Sequence, residues 1–203
     1  MVIYMTTIVI ATNNQNKVRE FKSLFDNPNI EFKTLKEIGY NKEIIEDGNT
    51  FSENALIKAK TVSKELNVIA ISDDSGLSCE ALNGAPGIYS ARYAGPQHND
   101  DDNNALLIKN LSDKENKNAK YVCAICLYHP NDEYKIIVGE CHGTIIDTPK
   151  GKNGFGYDPY FYIDAFGKTF AEVPLEQKNT ISHRAKALRG LKEVINEDFS
   201  FKR

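Results

Sequence analysis

The chain has 203 residues, of which 41% are hydrophobic and 26% are charged. This composition is that of a globular domain, and the length is sufficient for one well-buried core. The formal net charge of −3 argues against a broad nucleic-acid-binding surface, which would need an excess of Lys and Arg. We therefore expect one domain over residues 1–203 and no nucleic-acid partner.

The N-terminus and the cysteines bear on location. Residues 1–7 contain no cationic start followed by a long apolar stretch, so we expect no signal peptide. No apolar run reaches the about 20 residues of a membrane span, and no membrane association is expected. Cys123 and Cys126 have CxxC spacing but lie in a strand-like run, where residues three apart face opposite sides. We expect buried free thiols and a reducing, cytoplasmic location.

The first motif is a short strand that leads through a polar loop into a helix. Ile8–Ala11 is apolar, residues 12–17 are polar, and apolar residues at three- and four-residue spacing begin at Val18. A helix start presents free N–H groups and the positive end of the helix dipole, which favours phosphate. The loop lacks the Gly-Lys-Ser/Thr ending of a Walker A motif. The alternative is a plain connection with a solvated lysine at position 17.

A second helix is predicted after the turn at residues 46–48. Thr50 and Glu53 have the spacing of a capping box, in which two side chains satisfy free N–H groups at a helix start. An apolar stripe continues from there to Leu66.

Two adjacent acids follow the apolar run Val68–Ile71, which is typical of a strand buried on both faces. We expect Ser75 and Gly76 to break this strand. Because successive side chains on a strand point to opposite faces, one of Asp73 and Asp74 is expected to enter a site and the other to fix the turn. The alternative is an ordinary turn with Asx-type hydrogen bonds.

The second half of the chain predicts antiparallel strands. The runs 121–128 and 134–146 are separated by a turn signal and indicate a hairpin. The acids Asp100–Asp102 precede an apolar helical run, which favours a helix N-terminus over a metal cluster. Together with the first half, this predicts an α/β fold with a central twisted mixed sheet flanked by helices.

The last part of the chain contains a glycine-rich loop and a polar segment. Glycines flank Phe155, so the backbone can approach a flat ligand on which the ring stacks. A segment that contains Lys178, His183 and Arg184 leads into an amphipathic C-terminal helix.

Together these motifs resemble one family. The matching segments occur in the family's order over almost the whole chain: ATNNQNK (11–17), TFSENA (50–55), DDSGL (73–77), GAPGIYSARYAG (84–95), GFGYDP (154–159) and SHR (182–184). The chain resembles the inosine triphosphate pyrophosphatases, which act on non-standard purine nucleoside triphosphates. It departs from the family at Asn13, where bacterial members often have Gly, and at Asp47, where Thr is commoner.

The resemblance implies Mg²⁺-dependent hydrolysis of ITP, dITP or XTP to a monophosphate and pyrophosphate. It implies that Glu46 and Asp74 bind the metal and that Asp74 accepts the proton of the attacking water. It also implies a homodimer. The alternation of helices and strands in the first half, followed by the hairpin, predicts that the ligand sits in a cleft between two lobes. The implied substrate-binding positions are Thr12, Asn13, Asn14, Gln15, Asn16 and Lys17 for the phosphates, Ser75 for the nucleotide, and Phe155, Gly156, Tyr157, Asp158, Lys178, His183 and Arg184 around the base.

The chemistry of the base supports this interpretation. Hypoxanthine and xanthine carry an acceptor oxygen at the position where adenine carries an amino donor. A pocket of Lys, Arg and backbone donors fits the oxygen and would leave those donors unpaired opposite adenine, which gives strong discrimination. The residues that would reject the 2-amino group of guanine are not identified by the sequence.

Three other functions compete. A non-catalytic nucleotide- or RNA-binding module would need the basic loop and the aromatic ring but no pair of carboxylates. A phosphoacceptor receiver domain would carry its acidic pair after the first strand, where this chain has asparagines at positions 13 and 14. A pyrophosphatase for pyrimidine or modified nucleotides is the nearest competitor.

Overall fold

The computed structural model describes residues 5–24 and 29–197. In this part of the chain, seven strands form one sheet: β1 (Thr6–Ile10), β2 (Ile30–Thr34), β3 (Ile69–Cys79), β4 (Asn118–Tyr128), β5 (Tyr134–Ile145), β6 (Phe161–Ile163) and β7 (Lys168–Thr169). Their order across the sheet is β2-β1-β3-β4-β5-β6-β7.

Five α-helices accompany the strands in the described residues: α1 (Gln15–Leu24), α2 (Phe51–Leu66), α3 (Asp100–Leu111), α4 (Leu175–Ile181) and α5 (His183–Glu197). Short 3₁₀ segments occupy Glu80–Leu82, Gly87–Arg92 and Phe170–Glu172. None of the described helices combines the length and the apolar character that a membrane crossing demands.

The sheet contains both parallel and antiparallel pairs. Strand β1 pairs in parallel with β2 and with β3, as the helical crossovers α1 and α2 require. Strand β6 pairs antiparallel with β5 and with β7. Strands β4 and β5 are neighbours joined by residues 129–133, where the N–H of His129 donates to the carbonyl of Glu133 at 2.8 Å. The predicted hairpin and the predicted mixed α/β sheet are confirmed.

The chain divides into two compact units. The first contains the described residues up to Asp74, those from Cys123 to Gly139, and the described residues from Arg184 onward. The second contains Ser75–Val122 and Glu140–His183. The expected single domain over residues 1–203 and the expected cleft between two lobes stay predictions.

The core of the first unit lies on both faces of its strands. One cluster joins alternate strand residues to α1 and α5 and includes Ile8, Ile10, Ile71, Ile125, Leu188 and Leu191. The opposite face packs in two clusters that include Val9, Ala70 and Val62, and Ala55, Ala59 and Ala124. The alternation of side chains along a strand accounts for this division. The predicted strand begins at Ile69, one residue after Val68, and its residues Ala70 and Ile71 are buried on opposite faces, as predicted.

The core of the second unit is rich in aromatic residues. Leu77 and Cys79 of β3 pack in one cluster with Leu107 and Leu111 of α3. The rings of Tyr121, Phe161 and Phe170 belong to the same cluster, with the Tyr121 and Phe161 centroids 4.6 Å apart in an edge-on arrangement. Tyr157 also belongs to this cluster, which therefore supports the loop that carries residues 154–158.

Strand β3 does not break at Ser75 and Gly76, so that prediction is wrong. The strand continues to Cys79, and neither Asp73 nor Asp74 lies in a turn. A Cβ atom at Gly76 would lie 2.3 Å from Ser90 Oγ and 2.7 Å from the carbonyl oxygen of Gly87. The glycine therefore permits the close approach of a neighbouring segment, a second common reason for glycine within a strand.

The predicted helix starts are confirmed. The hydroxyl of Thr50 accepts from the N–H of Glu53 at 3.1 Å, while the Glu53 carboxylate accepts from the N–H of Asn49 at 2.6 Å. At the start of α3, Asn99 is the N-cap and the three acids Asp100–Asp102 form the first turn. Their negative charge is favourable there because it faces the positive end of the helix dipole.

The cysteines are free and buried, as predicted. Cys123 belongs to the cluster that contains α5, and Cys126 belongs to the cluster that contains α2. The two thiols therefore face opposite sides of β4 and do not share a metal or a disulfide.

Candidate active site

The polar loop after β1 turns directly into α1. The Thr12 hydroxyl accepts from the N–H of Asn14 at 3.2 Å, and the Asn14 side chain accepts from the N–H of Lys17 at 3.3 Å. Asn13, Asn14 and Gln15 are exposed, whereas Thr12 and Lys17 are half-buried. Asn16 lies in the first turn of α1, but its side chain is outside the described residues. The predicted strand, loop and helix are confirmed.

Asp73 contacts two cationic side chains. Its Oδ2 atom lies 3.1 Å from Lys17 Nζ and 3.5 Å from Arg184 Nε. Burial alone would raise the pKa of the Asp73 carboxyl, but the charges of Lys17 and Arg184 outweigh it and hold the pKa well below its usual range. The carboxylate therefore stays ionised and links the start of α1 to the start of α5.

Asp74 faces a different set of partners. Its Oδ2 atom accepts from Asn54 Nδ2 at 3.2 Å, and its Oδ1 atom lies 3.8 Å from Lys58 Nζ. Burial raises the pKa of the Asp74 carboxyl, and the Lys58 charge opposes this shift. Adjacent residues on an extended strand must diverge in this way.

Lys58 brings Glu46 and Asp74 together. Its ammonium lies 2.8 Å from Glu46 Oε2, and only 8% of the residue is exposed. Burial disfavours the charged form, but the Asp74 and Glu46 carboxylates outweigh burial and raise the pKa of Lys58. The side chain of Asn54, one turn before Lys58 on α2, also accepts from the N–H of Gly48 and so fixes the loop that carries Glu46.

This arrangement fits a divalent cation. Two carboxylates already share one positive charge at Lys58, and Mg²⁺ prefers carboxylate oxygens, water and substrate phosphates. Within residues 5–24 and 29–197, no group of three or more His, Cys, Asp and Glu residues could enclose a metal. A metal ion held by Glu46 and Asp74 would therefore keep ligand positions for water and phosphate.

The glycine-rich loop is organised by Asp158. Its Oδ2 atom accepts from Lys178 Nζ at 2.7 Å and from the N–H of Phe155 at 3.1 Å. The Lys178 ammonium also lies 5.2 Å from the ring centroids of Phe155 and Phe170, within cation–π distance. The loop, the short helix α4 and the aromatic cluster are thereby connected around one buried ion pair.

The main chain of this loop is already hydrogen-bonded within the second unit. The N–H of Gly156 donates to Asp100 Oδ2 at 2.8 Å, and its carbonyl accepts from Asn104 Nδ2 at 2.9 Å. The Phe155 carbonyl accepts from the N–H of Asp158 at 3.3 Å. The Tyr157 hydroxyl donates to the carbonyl of Ser90 at 2.7 Å. The expected backbone donors to a base are thus already engaged at Phe155 and Gly156, and the ring of Phe155 is what the loop can offer a ligand.

The remaining predicted residues lie in two environments. His183 is buried in the second unit and stacks on Tyr121, with ring centroids 4.7 Å apart and planes inclined by 10°. Arg184, the next residue, belongs to the first unit and faces Asp73. Ser75 is half-buried on β3, immediately after Asp74.

The structure therefore groups the predicted residues in two sets. Lys17 and Arg184 meet at Asp73, and Glu46 and Asp74 meet at Lys58, all in the first unit. Phe155, Gly156, Asp158 and Lys178 form a second set in the other unit. The sequence analysis did not identify four residues that hold the predicted site residues in place: Asn54, Lys58, Asp100 and Asn104. The spacing of four that separates Asn54 from Lys58, and likewise Asp100 from Asn104, could have indicated one helix face in each case.

Two relatives of the chain carry the same name. The dITP/XTP pyrophosphatase of Bacillus licheniformis is 47% identical over 195 residues, which cover 95% of this chain and 100% of that protein. The dITP/XTP pyrophosphatase of Listeria monocytogenes serotype 4b is 46% identical over 195 residues, with 95% of this chain and 96% of that protein covered.

Two solved structures are similar to this chain in both fold and sequence. The Ham1 protein of Staphylococcus aureus matches with a TM-score of 0.88 and 42% identity over 94% of this chain and 98% of that chain. A HAM1 protein from Coxiella burnetii matches with a TM-score of 0.90 and 40% identity over 96% of this chain and 100% of that chain. The model of the Ham1 family matches residues 8–194. The chain is thus a member of the Ham1 family.

Proposed function

We propose that the protein hydrolyses the non-standard purine nucleoside triphosphates ITP, dITP and XTP to a nucleoside monophosphate and pyrophosphate, and so clears them from the nucleotide pool. Relatives that are 44–47% identical over nearly the whole chain are named dITP/XTP pyrophosphatases. The observation that carries the proposal is that Glu46 and Asp74 both contact Lys58. Asp74 is also the neighbour, on strand β3, of Asp73, which binds Lys17.

Glu46 and Asp74 would hold Mg²⁺, which neutralises the triphosphate and allows a water molecule to approach. Asp74 would accept the proton of that water. Asp74 lies within strand β3 and its side chain is hydrogen-bonded to Asn54 of α2, and a general base needs such a fixed position. Lys58 balances the two carboxylates, so that the site carries little excess charge before the substrate arrives.

The phosphates would be bound at the start of α1. The loop residues Thr12 to Lys17 lead into the N-terminus of this helix, where anions are favoured. Lys17 adds a full positive charge, and Asp73 holds its ammonium at 3.1 Å. Arg184 contacts the same carboxylate oxygen of Asp73 from the start of α5.

The base would lie against Phe155. The ring belongs to a loop whose main chain is hydrogen-bonded within the second unit. The ring lies beside the ion pair of Asp158 and Lys178. Lys178, His183 and Arg184 are the donors that we propose for the purine oxygen. Adenine would leave such donors unpaired, which disfavours ATP.

Turnover of a panel of nucleoside triphosphates tests the proposal. ITP, dITP, XTP, GTP, ATP, CTP and UTP are each incubated with the protein in Mg²⁺ or in EDTA, and phosphate and pyrophosphate are measured separately. We expect pyrophosphate from the first three substrates in Mg²⁺ and little product in EDTA. Release of single phosphates, or a preference for a pyrimidine nucleotide, would contradict the proposal.

The family resemblance also leads us to propose a homodimer that works in the cytoplasm. Light scattering coupled to size-exclusion chromatography measures the first property, with a mass of about twice the 22.8 kDa chain expected. A mass equal to one chain over the working concentration range would contradict the dimer.

A further inference from the structure

The loop that carries Phe155 is held by the first turn of α3. Asp100 Oδ2 accepts from the N–H of Gly156 at 2.8 Å, and Asn104 Nδ2 donates to the carbonyl of Gly156 at 2.9 Å. The same Asn104 amide donates to the carbonyl of Asp100 at 2.8 Å, so the two clamping residues are themselves joined. One helix turn therefore binds both polar main-chain groups of a single loop residue.

The clamped residue adjoins the ring that we propose as the base platform. Gly156 has a φ of +63°, which glycine adopts far more readily than other residues, and a loop at such a residue can swing when its peptide groups are released. The N–H of Gly156 belongs to the peptide that links it to Phe155, and its carbonyl belongs to the next peptide, so the two hydrogen bonds fix the orientation of both peptides. On the other side, the N–H of Phe155 is bound to Asp158. The direction of the Phe155 side chain is thus set from both of its neighbouring peptides.

Favourable interaction with the helix dipole does not account for this contact. Asp100, Asp101 and Asp102 all lie in the first turn of α3 and all place negative charge at its N-terminus. Asp100 differs from its neighbours because its carboxylate reaches across to residue 156, and the two residues are far apart in the chain. Asn104 is 6% exposed, although a helix start does not require a buried amide at this position.

We propose that Asp100 and Asn104 are positioning residues, which hold the peptides beside Phe155 so that its ring is ready to stack on the purine base; this inference rests on the proposed function. A loosened loop spends less time in the orientation that accepts the base, and apparent affinity falls in proportion to that fraction. Binding of the base should weaken, whereas binding of the phosphates should not.

The chain offers a clean reporter for this test because it contains no tryptophan. Phe155→Trp places one fluorophore at the clamped ring, and its accessibility to acrylamide can be measured without any ligand. Into this background we introduce Asp100→Ala, which removes the acceptor, and Asp100→Asn, whose amide oxygen can still accept from the N–H of Gly156. Asp101→Ala is the matched control, since it removes the same charge from the same helix turn.

We expect acrylamide quenching to increase in Asp100→Ala and to stay at the starting level in Asp100→Asn and Asp101→Ala. The affinity for IMP, followed by quenching of the same tryptophan, should fall about tenfold in Asp100→Ala, as the loss of one such hydrogen bond allows. Pyrophosphate affinity, measured by calorimetry, should be equal in all the variants. In the Phe155 background, Asp100→Ala should raise KM for ITP and leave kcat within about twofold.

Several outcomes would overturn the proposal. If Asp100→Ala and Asp101→Ala have the same quenching and the same IMP affinity, Asp100 does not position the loop. If pyrophosphate affinity falls as much as IMP affinity, the clamp supports the whole site and not the ring. Asn104→Leu, which removes the donor but keeps a helix-compatible residue of similar size, repeats every measurement should Asp100→Ala fail to fold. A wild-type protein that neither binds IMP nor hydrolyses ITP refutes the proposed function, while ligand-free quenching still decides the positioning role.

Discussion

The ammonium of Lys58 lies 2.8 Å from the carboxylate of Glu46, on the buried side of α2. The same ammonium is 3.8 Å from Asp74, so a single lysine separates the two carboxylates to which we assign the metal. Without a metal ion, Lys58 is the charge that allows these two acids to lie close together. This relationship makes the metal proposal testable without an activity assay.

Replacing Lys58 by Met should make folding depend on Mg²⁺. In EDTA, the variant should lose about 2 kcal/mol of stability, less than the loss of a fully buried ion pair because Glu46 is one-third exposed. Mg²⁺ should restore more of the thermal midpoint in Lys58→Met than it adds to the wild type, since the metal replaces the missing charge. Lys60→Met, at an exposed position on the same helix, is the control. Equal Mg²⁺ effects on all three proteins would show that the two carboxylates do not bind the metal.

Asp74→Asn should lower kcat for ITP by about 10² or more and leave the fold intact. The amide keeps the shape of the side chain, but it cannot accept a proton from water and holds Mg²⁺ weakly. The measurements are kcat under saturating substrate and the midpoint of thermal unfolding. A variant with most of the wild-type turnover would remove Asp74 from the mechanism.

Arg184→Ala should shrink the preference for ITP over ATP, whereas Lys17→Ala should lower kcat/KM for both substrates by a similar factor. A phosphate contact does not distinguish bases, but a donor to the purine oxygen does. The structure sharpens this comparison because both cations share one oxygen of Asp73. The four kcat/KM values decide the matter: equal losses on both substrates in Arg184→Ala would assign this arginine to the phosphates.

The native protein should resist thiol reagents at pH 8. All four cysteines are buried and free, and burial raises the pKa of Cys79 and of Cys126 to about 12. A raised pKa keeps the thiol protonated at pH 8, and the reactive thiolate is then about one part in 10⁴. Absorbance of released thionitrobenzoate should show slow reaction in buffer and rapid reaction of four thiols in guanidinium chloride. Rapid reaction without denaturant would contradict the burial.

Gly76→Ala should destabilise the protein by about 1–3 kcal/mol, the usual range for overpacking. The new methyl group would meet the hydroxyl of Ser90 at 2.3 Å and the carbonyl of Gly87 at 2.7 Å. Urea unfolding followed by circular dichroism measures the change. Gly39→Ala is not a suitable control because Gly39 has a φ of +70°, so wild type and Asp101→Ala serve as references. An unchanged midpoint would mean that the segment around Ser90 moves aside freely.

Local patterns predicted most elements because they depend on neighbouring residues. The helix start at Thr50 and the hairpin between β4 and β5 follow from capping and turn chemistry, and the structure confirms both. The interpretation of Ser75 and Gly76 failed for the opposite reason. Small residues break a strand or admit a neighbour, and only the tertiary position of Ser90 distinguishes these two cases.

The site was predicted by residue type and family motif, but its pairings were not. Lys17 and Arg184 are separated by most of the chain, so no sequence pattern could indicate that one oxygen of Asp73 binds both. Lys58 lies off the apolar stripe of its helix, so the sequence pattern gives no reason for its burial. Its burial follows from the position of Glu46, which precedes the helix in a segment without regular secondary structure.

The core shared by β1 and α5 has a consequence for synthesis of the protein. Ile8 and Ile10 pack in the same cluster as Leu188 and Leu191, so a strand made early is covered by a helix made late. At about 5–20 residues per second, a ribosome needs roughly 10–40 s to travel from one to the other. During that interval the apolar face of the nascent strand lacks its final cover and is a natural target for chaperones. A ribosome that stalls before α5 emerges would leave this surface exposed, which favours aggregation or proteolysis of the truncated product.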